Sequence, residues 1–447
     1  MAIQVQCADA NVVKFREWVT NKVSHSRRQF LKSAALSGLA ATLPISLGSC
    51  RSAKKAKVVV IGGGYAGATA ARYLALWAPE IEIILIEKQT RFISCPQSNL
   101  VLSGSRQLTD LTHSYETLAS LPSIQLIQDE VTAIDADKKK VYLTQGDVQS
   151  YDRLIIAPGV SLDYHNLPML QSATAQQKVP HAWKAGSQTQ LLAQQLQAMR
   201  PGGTVIMTVP QAPYRCPPGP YERACQIALY LKRHNPKGKL LILDANPDII
   251  SKKSLFVEAW QTLYPNLIDY LPTHALDSVD VDNLAVETLF GDYRADVLNV
   301  IPPQQAGAVA EMAGVVNIDQ RWCDVNFLTY ESTAIASIHV IGDAVAAKTP
   351  KSGHVANQQA KVCAAAVISL LREEQPEPQP VFSNTCYSFV DDKQAMHVAN
   401  VYRYDAKTRE MRTMNGGGVS KTHSETEGRY AQGWAENIWS DMLGELP

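Results

Sequence analysis

One βαβ unit near residue 60 constrains this chain more than any other feature. Lys57-Val58-Val59-Val60-Ile61 is an apolar, β-branched run, the pattern of a strand buried on both faces of a parallel sheet. Gly62-Gly63-Gly64-Tyr65-Ala66-Gly67 follows without a gap, then a helical stretch from Ala68 to Trp77 that stops before Pro79. A second apolar strand, Ile81 to Ile86, ends in Glu87. Strand, G-x-G-x-x-G, helix, strand and acid in this register form a dinucleotide-binding unit. Gly62 makes the tight turn, Gly64 lets a pyrophosphate approach the backbone, and Gly67 lets the helix pack on the strand. The helix N-terminus faces the phosphates. Glu87, 23 residues past Gly64, is placed to bind the adenosine ribose hydroxyls.

Two later segments indicate which dinucleotide. Tyr151-Asp152-Arg153-Leu154-Ile155-Ile156-Ala157-Pro158-Gly159 reads as a strand ending in a small-residue turn, and Ile338-His339-Val340-Ile341-Gly342-Asp343-Ala344 as a strand ending in Gly-Asp. With the fingerprint, this set resembles the FAD-binding disulfide-oxidoreductase superfamily. The resemblance implies that Asp343 hydrogen-bonds the ribityl chain of FAD. A second strand of the same kind, Gly203 to Val209, leads into Pro210-Gln211-Ala212-Pro213-Tyr214-Arg215-Cys216-Pro217-Pro218-Gly219-Pro220-Tyr221-Glu222. Five prolines stand where members using a nicotinamide cofactor carry glycines. Proline has no N–H to offer a phosphate, and its ring blocks close backbone approach. The expectation is a second, degenerate Rossmann-like fold without a nicotinamide site, and a small electron donor in place of NADH.

The first fifty residues read as an address. Ser26-Arg27-Arg28-Gln29-Phe30-Leu31-Lys32 is a complete twin-arginine export pattern, followed by a soft apolar run from Ala34 to Leu47 that is too short for a membrane span. That route exports folded proteins, often with a cofactor already inserted, so the chain is expected in the periplasm. Leu47-Gly48-Ser49-Cys50 resembles a lipoprotein box, so either Cys50 anchors a lipid or plain cleavage nearby leaves it discarded or unmodified. The chain carries 42 basic and 42 acidic residues, but six of the former and two of the latter lie in this leader, which leaves 36 against 40. Such a balance argues against a nucleic-acid partner. Eight cysteines in 447 residues are too few for a disulfide scaffold, so each is read individually.

Cys7 falls in the leader. Cys95 follows soon after Glu87, in the loop Arg91 to Asn99 that runs back past the dinucleotide in this fold. Cys216 sits in the proline turn before a helix expected to begin near Tyr221; that helix N-terminus and Arg215 both favour a reactive thiol of lowered pKa. Glu222 is placed as a nearby acid or base, or as an ordinary acid in the first turn. Cys386, in Asn384-Thr385-Cys386-Tyr387-Ser388, follows the stiff, proline-alternating string Gln375 to Pro380. Cys225 and Cys363 fall inside helical patterns and are expected in the core. Cys323 fits the core or competes with Cys386 as a partner of Cys216.

Pro180-His181-Ala182-Trp183-Lys184-Ala185-Gly186, Tyr214 to Arg223, Ile301-Pro302-Pro303-Gln304, Pro350-Lys351-Ser352-Gly353 and Asn384 to Ser388, in that order, are far more specific than the glycine fingerprint. Through them the chain, from Lys57 to its end, resembles the flavoprotein subunit of flavocytochrome c sulfide dehydrogenase. The resemblance implies a covalent bond from Cys95 to the 8-methyl group of FAD, with Pro96 a departure in that loop. It also implies a redox disulfide between Cys216 and Cys386, with Glu222 beside it, and hydrosulfide as substrate. A c-type cytochrome is the implied partner. No C-x-x-C-H occurs in the chain, so the haem is expected on another polypeptide.

The expected fold class is α/β: two Rossmann-like FAD/NAD(P)-binding-type domains plus a C-terminal α+β segment. The expected boundaries are 1–50 for the signal, 57–165 with 295–372 for a discontinuous FAD domain, 166–294 for the degenerate domain, and 373–447 for the C-terminal segment. No metal site and no transmembrane segment are expected. The alternative is a sulfide:quinone oxidoreductase at the membrane surface. The tail from Tyr430 to Leu446 has Trp434, Ile438, Trp439, Met442 and Leu443 at helical spacing, which suits either docking on a membrane or packing on the core. An NAD(P)H-dependent flavin reductase and a non-catalytic flavin-bearing protein are the remaining readings.

Overall fold

A computed structural model describes residues 55–444. The leader with its twin arginines, Cys7 and Cys50 lies outside them. The apolar run around Val58 becomes the strand Lys57–Ile61, with Val58, Val59 and Val60 fully buried. It pairs in parallel with Glu82–Ile86 on one side and Arg153–Ile156 on the other. Ile124–Ile127 and Ile338–Val340 extend this parallel sheet outward, and two short antiparallel strands complete seven. The strand ending in Gly342-Asp343 thus lies in the same sheet as the glycine fingerprint, although nearly 300 residues of chain separate them.

Helix Tyr65–Trp77 covers one face and packs on helix Gly353–Leu371. The first stops at Ala78, because the residue before Pro79 disfavours the helical region. The second starts where the Ser352 hydroxyl accepts the Val355 N–H at 3.2 Å.

A second parallel sheet runs in the order Ile268–Leu271, Lys239–Asp244, Thr204–Val209, Val297–Val300. The last strand begins just past the boundary expected at 295, so the chain leaves this sheet only after it. Helix Gly219–His234 packs against it, starting two residues before the expected Tyr221.

Beyond Pro380 come three antiparallel strands, Val381–Phe389, Ala395–Asp405 and Glu410–Val419, and then helix Glu425–Leu443. Ser424 caps this helix and Gly444 closes it at φ +80°. Ile438, Trp439, Met442 and Leu443 are all buried in the core of the first sheet. Asp441 ties the helix down through Asn357 Nδ2 at 2.7 Å and Lys361 Nζ at 2.8 Å. The apolar face that suited a membrane is therefore spent on packing. No helix among the described residues is long and apolar enough to cross a membrane.

Candidate active site

The glycine turn differentiates its three key positions. Gly62 has φ +98°, its N–H donates to Ile86 O at 2.8 Å, and a Cβ there would meet Ala157 O at 2.4 Å. At Gly67 a Cβ would stand 1.7 Å from Gly62 O, so the helix packs this closely only on glycine. Gly64 has nothing within 4 Å of its missing Cβ. That open side faces a cavity of about 380 Å³ lined by Gly64, Glu87, Cys95, Cys216, Asp343 and Cys386, among others. Glu87 is held by Gly63 N at 2.6 Å and Gln89 N at 2.8 Å.

Asp343 reaches the same cavity from the end of the strand Ile338–Val340, two strands away from the glycine turn in the same sheet. Burial raises its pKa, and Arg215 and Lys351 pull it back. Its carboxylate makes no hydrogen bond among the described residues, and Gln97 Oε1, Trp183 Nε1 and Trp434 Nε1, also around the cavity, are buried without partners. Buried polar atoms of this kind call for a polar ligand. An open glycine at a helix N-terminus, a strand-end acid and these atoms fit FAD.

Cys95 lies against the cavity in a loop fixed at several points. Ser94 Oγ donates to Pro96 O at 2.8 Å, Ser98 Oγ donates to Cys95 O at 2.7 Å, and Tyr65 shares a hydrogen bond with Ser94. The loop accommodates Pro96 without losing these ties. Arg215 is half-buried, donates to Trp183 O, and sits beside Cys95, Asp343 and Cys216.

Cys216 has the left-handed φ of +59°, held by its N–H donating to Lys351 O at 2.7 Å and by Gly219 N donating to Cys216 O at 2.8 Å. A Cβ at Gly219 would be 3.0 Å from the Cys216 sulfur and 2.8 Å from Trp183, so that glycine lets the helix close over the thiol. Cys386 is central in its strand, its sulfur 3.5 Å from the Asn384 amide, which Ser352 Oγ fixes at 2.9 Å. Glu222 is buried; its carboxylate accepts from Asn99 Nδ2 at 2.8 Å and Phe389 N at 2.9 Å. Burial raises its pKa against those bonds.

One expectation needs correction. Cys216 is not a low-pKa thiol: burial, then Glu222 and Cys386, push it up, and Arg215 and Lys252 only partly offset them. The sequence revealed the positive neighbours but not the desolvation. The implied redox pair is in its thiol form. Both cysteines are free thiols in the structure, sharing one cavity wall without a bond between them. Cys323 does not compete: it is fully buried, bridged to Val345, and absent from the cavity lining. Cys225 and Cys363 are fully buried within helices, and Trp260 Nε1 donates to the Cys225 sulfur at 3.3 Å.

In the second sheet the corresponding strand-end acid is satisfied by neighbouring residues. Asp244 ends its strand where Glu87 ends the corresponding strand of the first fold, yet it is fully buried. Its Oδ2 accepts from Tyr221 at 2.8 Å and Tyr270 at 3.0 Å, and its Oδ1 accepts from the backbone and side chain of Asn246 at 2.9 and 2.7 Å. Asn246 also holds Pro210 O and Ala212 N of the proline turn. Sequence reasoning missed Asp244, although the mirrored pattern of an apolar strand ending in an acid was readable. It also missed Asn99, Gly219 and Lys252.

Family models match three segments of the chain. The central region of the "Sulfide dehydrogenase [flavocytochrome c] flavoprotein chain" matches residues 189–302. "Flavocytochrome c sulphide dehydrogenase, flavin-binding" matches 378–443, and "Pyridine nucleotide-disulphide oxidoreductase" matches 56–203. The mitochondrial sulfide:quinone oxidoreductase of Mus musculus is 25% identical over 360 residues, covering 75% of this chain and 76% of that protein. A type II NADH:quinone oxidoreductase of Staphylococcus aureus is 33% identical over 105 residues, 23% of this chain and 26% of its own. Among solved structures, the sulfide:quinone oxidoreductase of Aquifex aeolicus superposes with a TM-score of 0.70 at 20% identity, covering 88% of this chain and 92% of that one. An NAD-dependent persulfide reductase of A. fulgidus gives 0.59 at 16% identity, covering 86% and 77%. These superpositions bear on the fold alone.

Proposed function

The chain belongs to the flavocytochrome c sulfide dehydrogenase flavoprotein type of FAD oxidoreductase, and we propose that it oxidises hydrosulfide at a Cys216–Cys386 disulfide and passes electrons to a c-type cytochrome on a separate polypeptide. The observation that carries this reading is the gathering of Cys95, Cys216 and Cys386, from three distant segments, around the cavity onto which Gly64 opens.

In the oxidised pair, hydrosulfide attacks one sulfur. A new S–S bond forms as a persulfide, and the electron pair of the broken bond leaves on the other sulfur as a thiolate. Ser352, through Asn384, and Glu222, through Phe389 N, hold the strand that carries Cys386 on either side of it. Glu222, whose pKa burial raises against its hydrogen bonds, stands beside Cys216 as the acid or base nearest the pair. Bound FAD supplies a two-electron acceptor that releases electrons singly, which suits a haem partner. Cys95 is the residue that would bond the flavin covalently, guarding against its loss outside the cytoplasm. We place the protein in the periplasm, exported through the twin-arginine leader, with Cys50 as a lipid anchor where that box is processed.

Two measurements test this. With sulfide as donor, the protein reduces cytochrome c and leaves a short-chain quinone oxidised. The opposite pattern makes it a sulfide:quinone oxidoreductase, the reading that the Mus musculus relative favours. Against that alternative stands the burial of the apolar face of the C-terminal helix. Acid precipitation carries the yellow colour down with the wild-type protein and leaves it in solution for Cys95→Ser. Colour in the wild-type supernatant shows there is no covalent link.

A further inference from the structure

Lys252 is the unexplained cation of this region. It precedes helix Lys253–Leu263 with the left-handed φ of +54°, a conformation unfavourable for a residue with a Cβ, and it is buried. Its Nζ donates to Cys386 O at 3.0 Å and to Ser388 Oγ at 2.8 Å. An ammonium carries three donors, and the third finds no acceptor among the described residues. Among the described residues it forms no salt bridge, its Nζ meeting only the Cys386 carbonyl and the Ser388 hydroxyl. A buried charge is costly unless it is paired. The groups that face it are the Cys386 sulfur, Glu222 from helix Gly219–His234, Cys216 from the proline turn, and Glu427 from the C-terminal helix, with the strongest coupling to Cys386.

We propose that Lys252 is the positioning residue of the redox pair: it clamps the backbone of the Cys386 strand and supplies the buried positive charge that Cys386 needs when its sulfur becomes anionic. This rests on the reading of Cys216 and Cys386 as that pair. Two hydrogen bonds fix the ammonium to the strand that it serves, so charge and thiol keep one geometry as the S–S bond opens and closes. Burial lowers the pKa of the ammonium to about 8 while Cys386, Glu222, Cys216 and Glu427 pull it back up, so it is cationic at neutral pH.

The test uses the full-length, flavin-loaded protein with Cys216→Ser, in which Cys386 remains as a single thiol. Iodoacetamide is the probe, read by mass spectrometry on the peptide that contains Cys386. Near neutral pH, Lys252→Met slows alkylation about tenfold, the effect of removing an opposite charge worth one pH unit. The parent and the Met variant converge as pH rises through the titration of Lys252, and Lys252→Arg stays within about twofold of the parent. An unchanged neutral-pH rate in the Met variant overturns the proposal, and so does a deficit that persists in strong alkali, which marks a purely structural role. If the Met variant fails to fold, Ser388→Ala decides: it keeps the charge but frees one of its two anchors, and alkylation slows by a smaller factor. An unchanged rate there also overturns the proposal. Sulfide reduction of the wild-type flavin is measured separately. Its absence with the alkylation contrast intact refutes the sulfide reading and not the role of Lys252.

Discussion

Cys386→Ser and Cys216→Ser each leave the protein yellow and lower sulfide-dependent reduction of the flavin by about 10³-fold or more, the scale expected when one member of a concerted catalytic unit is lost. Serine replaces one atom by a smaller one, so the strand Val381–Phe389 and the αL turn at Cys216 keep their backbone ties to Lys252, Glu222 and Lys351. The groups that fit the flavin, Gly64, Glu87 and Asp343, are on the other sheet and stay as they are. What is lost is the electrophile: a lone thiol offers hydrosulfide no S–S bond to attack. Cys225→Ser and Cys363→Ala are the controls. Both residues are fully buried away from the cavity, and a serine hydroxyl still accepts from Trp260, so both variants reduce flavin at close to the parent rate. Stopped-flow bleaching of the flavin by sulfide measures all four. Unimpaired bleaching in either Cys216→Ser or Cys386→Ser removes the pair from the mechanism.

What the sequence made legible follows from how local each signal is. The roles of Gly62, Gly64 and Gly67 were readable because turn, approach and packing are decided within six residues. The structure separates them as a backbone clash at Gly62, open space at Gly64 and a helix contact at Gly67. Cys225 and Cys363 were assignable to the core because helical periodicity places them on an inward face. Cys323 was not, because its burial depends on a bridge to Val345 across a turn. The error at Cys216 has the same origin. Arg215 and the helix start are visible in the sequence, whereas the burial that outweighs them, and the added repulsion from Cys386, come from the fold. Lys252 gave no signal at all, since its partner carbonyl is 134 residues away. The tail helix was ambiguous for a related reason: its apolar stripe suits a membrane and a core equally, and only the packing against the first sheet decides between them.

NADH, added anaerobically, leaves the flavin oxidised over minutes while sulfide bleaches it. The ground is steric and electrostatic together. In the first fold, the glycine turn leaves an open approach at Gly64 and a strand-end acid, Glu87, in the cavity wall. In the second fold, the equivalent turn is built from prolines, which remove the N–H donors a pyrophosphate requires. The equivalent acid, Asp244, is saturated by Tyr221, Tyr270 and Asn246 and fully buried, so no oxygen is left for a ribose hydroxyl. Breaking that network to admit a nucleotide would strand a buried carboxylate and two tyrosine hydroxyls, at about 1–3 kcal/mol for each group left unsatisfied. Single replacements therefore do not open the site. Tyr221→Phe frees one lone pair of Asp244 but keeps the ring that fills the space, and its flavin also stays oxidised with NADH. Rapid bleaching of the wild-type flavin by NADH would show that a nicotinamide reaches the ring by a route that does not use this fold, and would return the protein to the class of NAD(P)H-dependent flavin reductases.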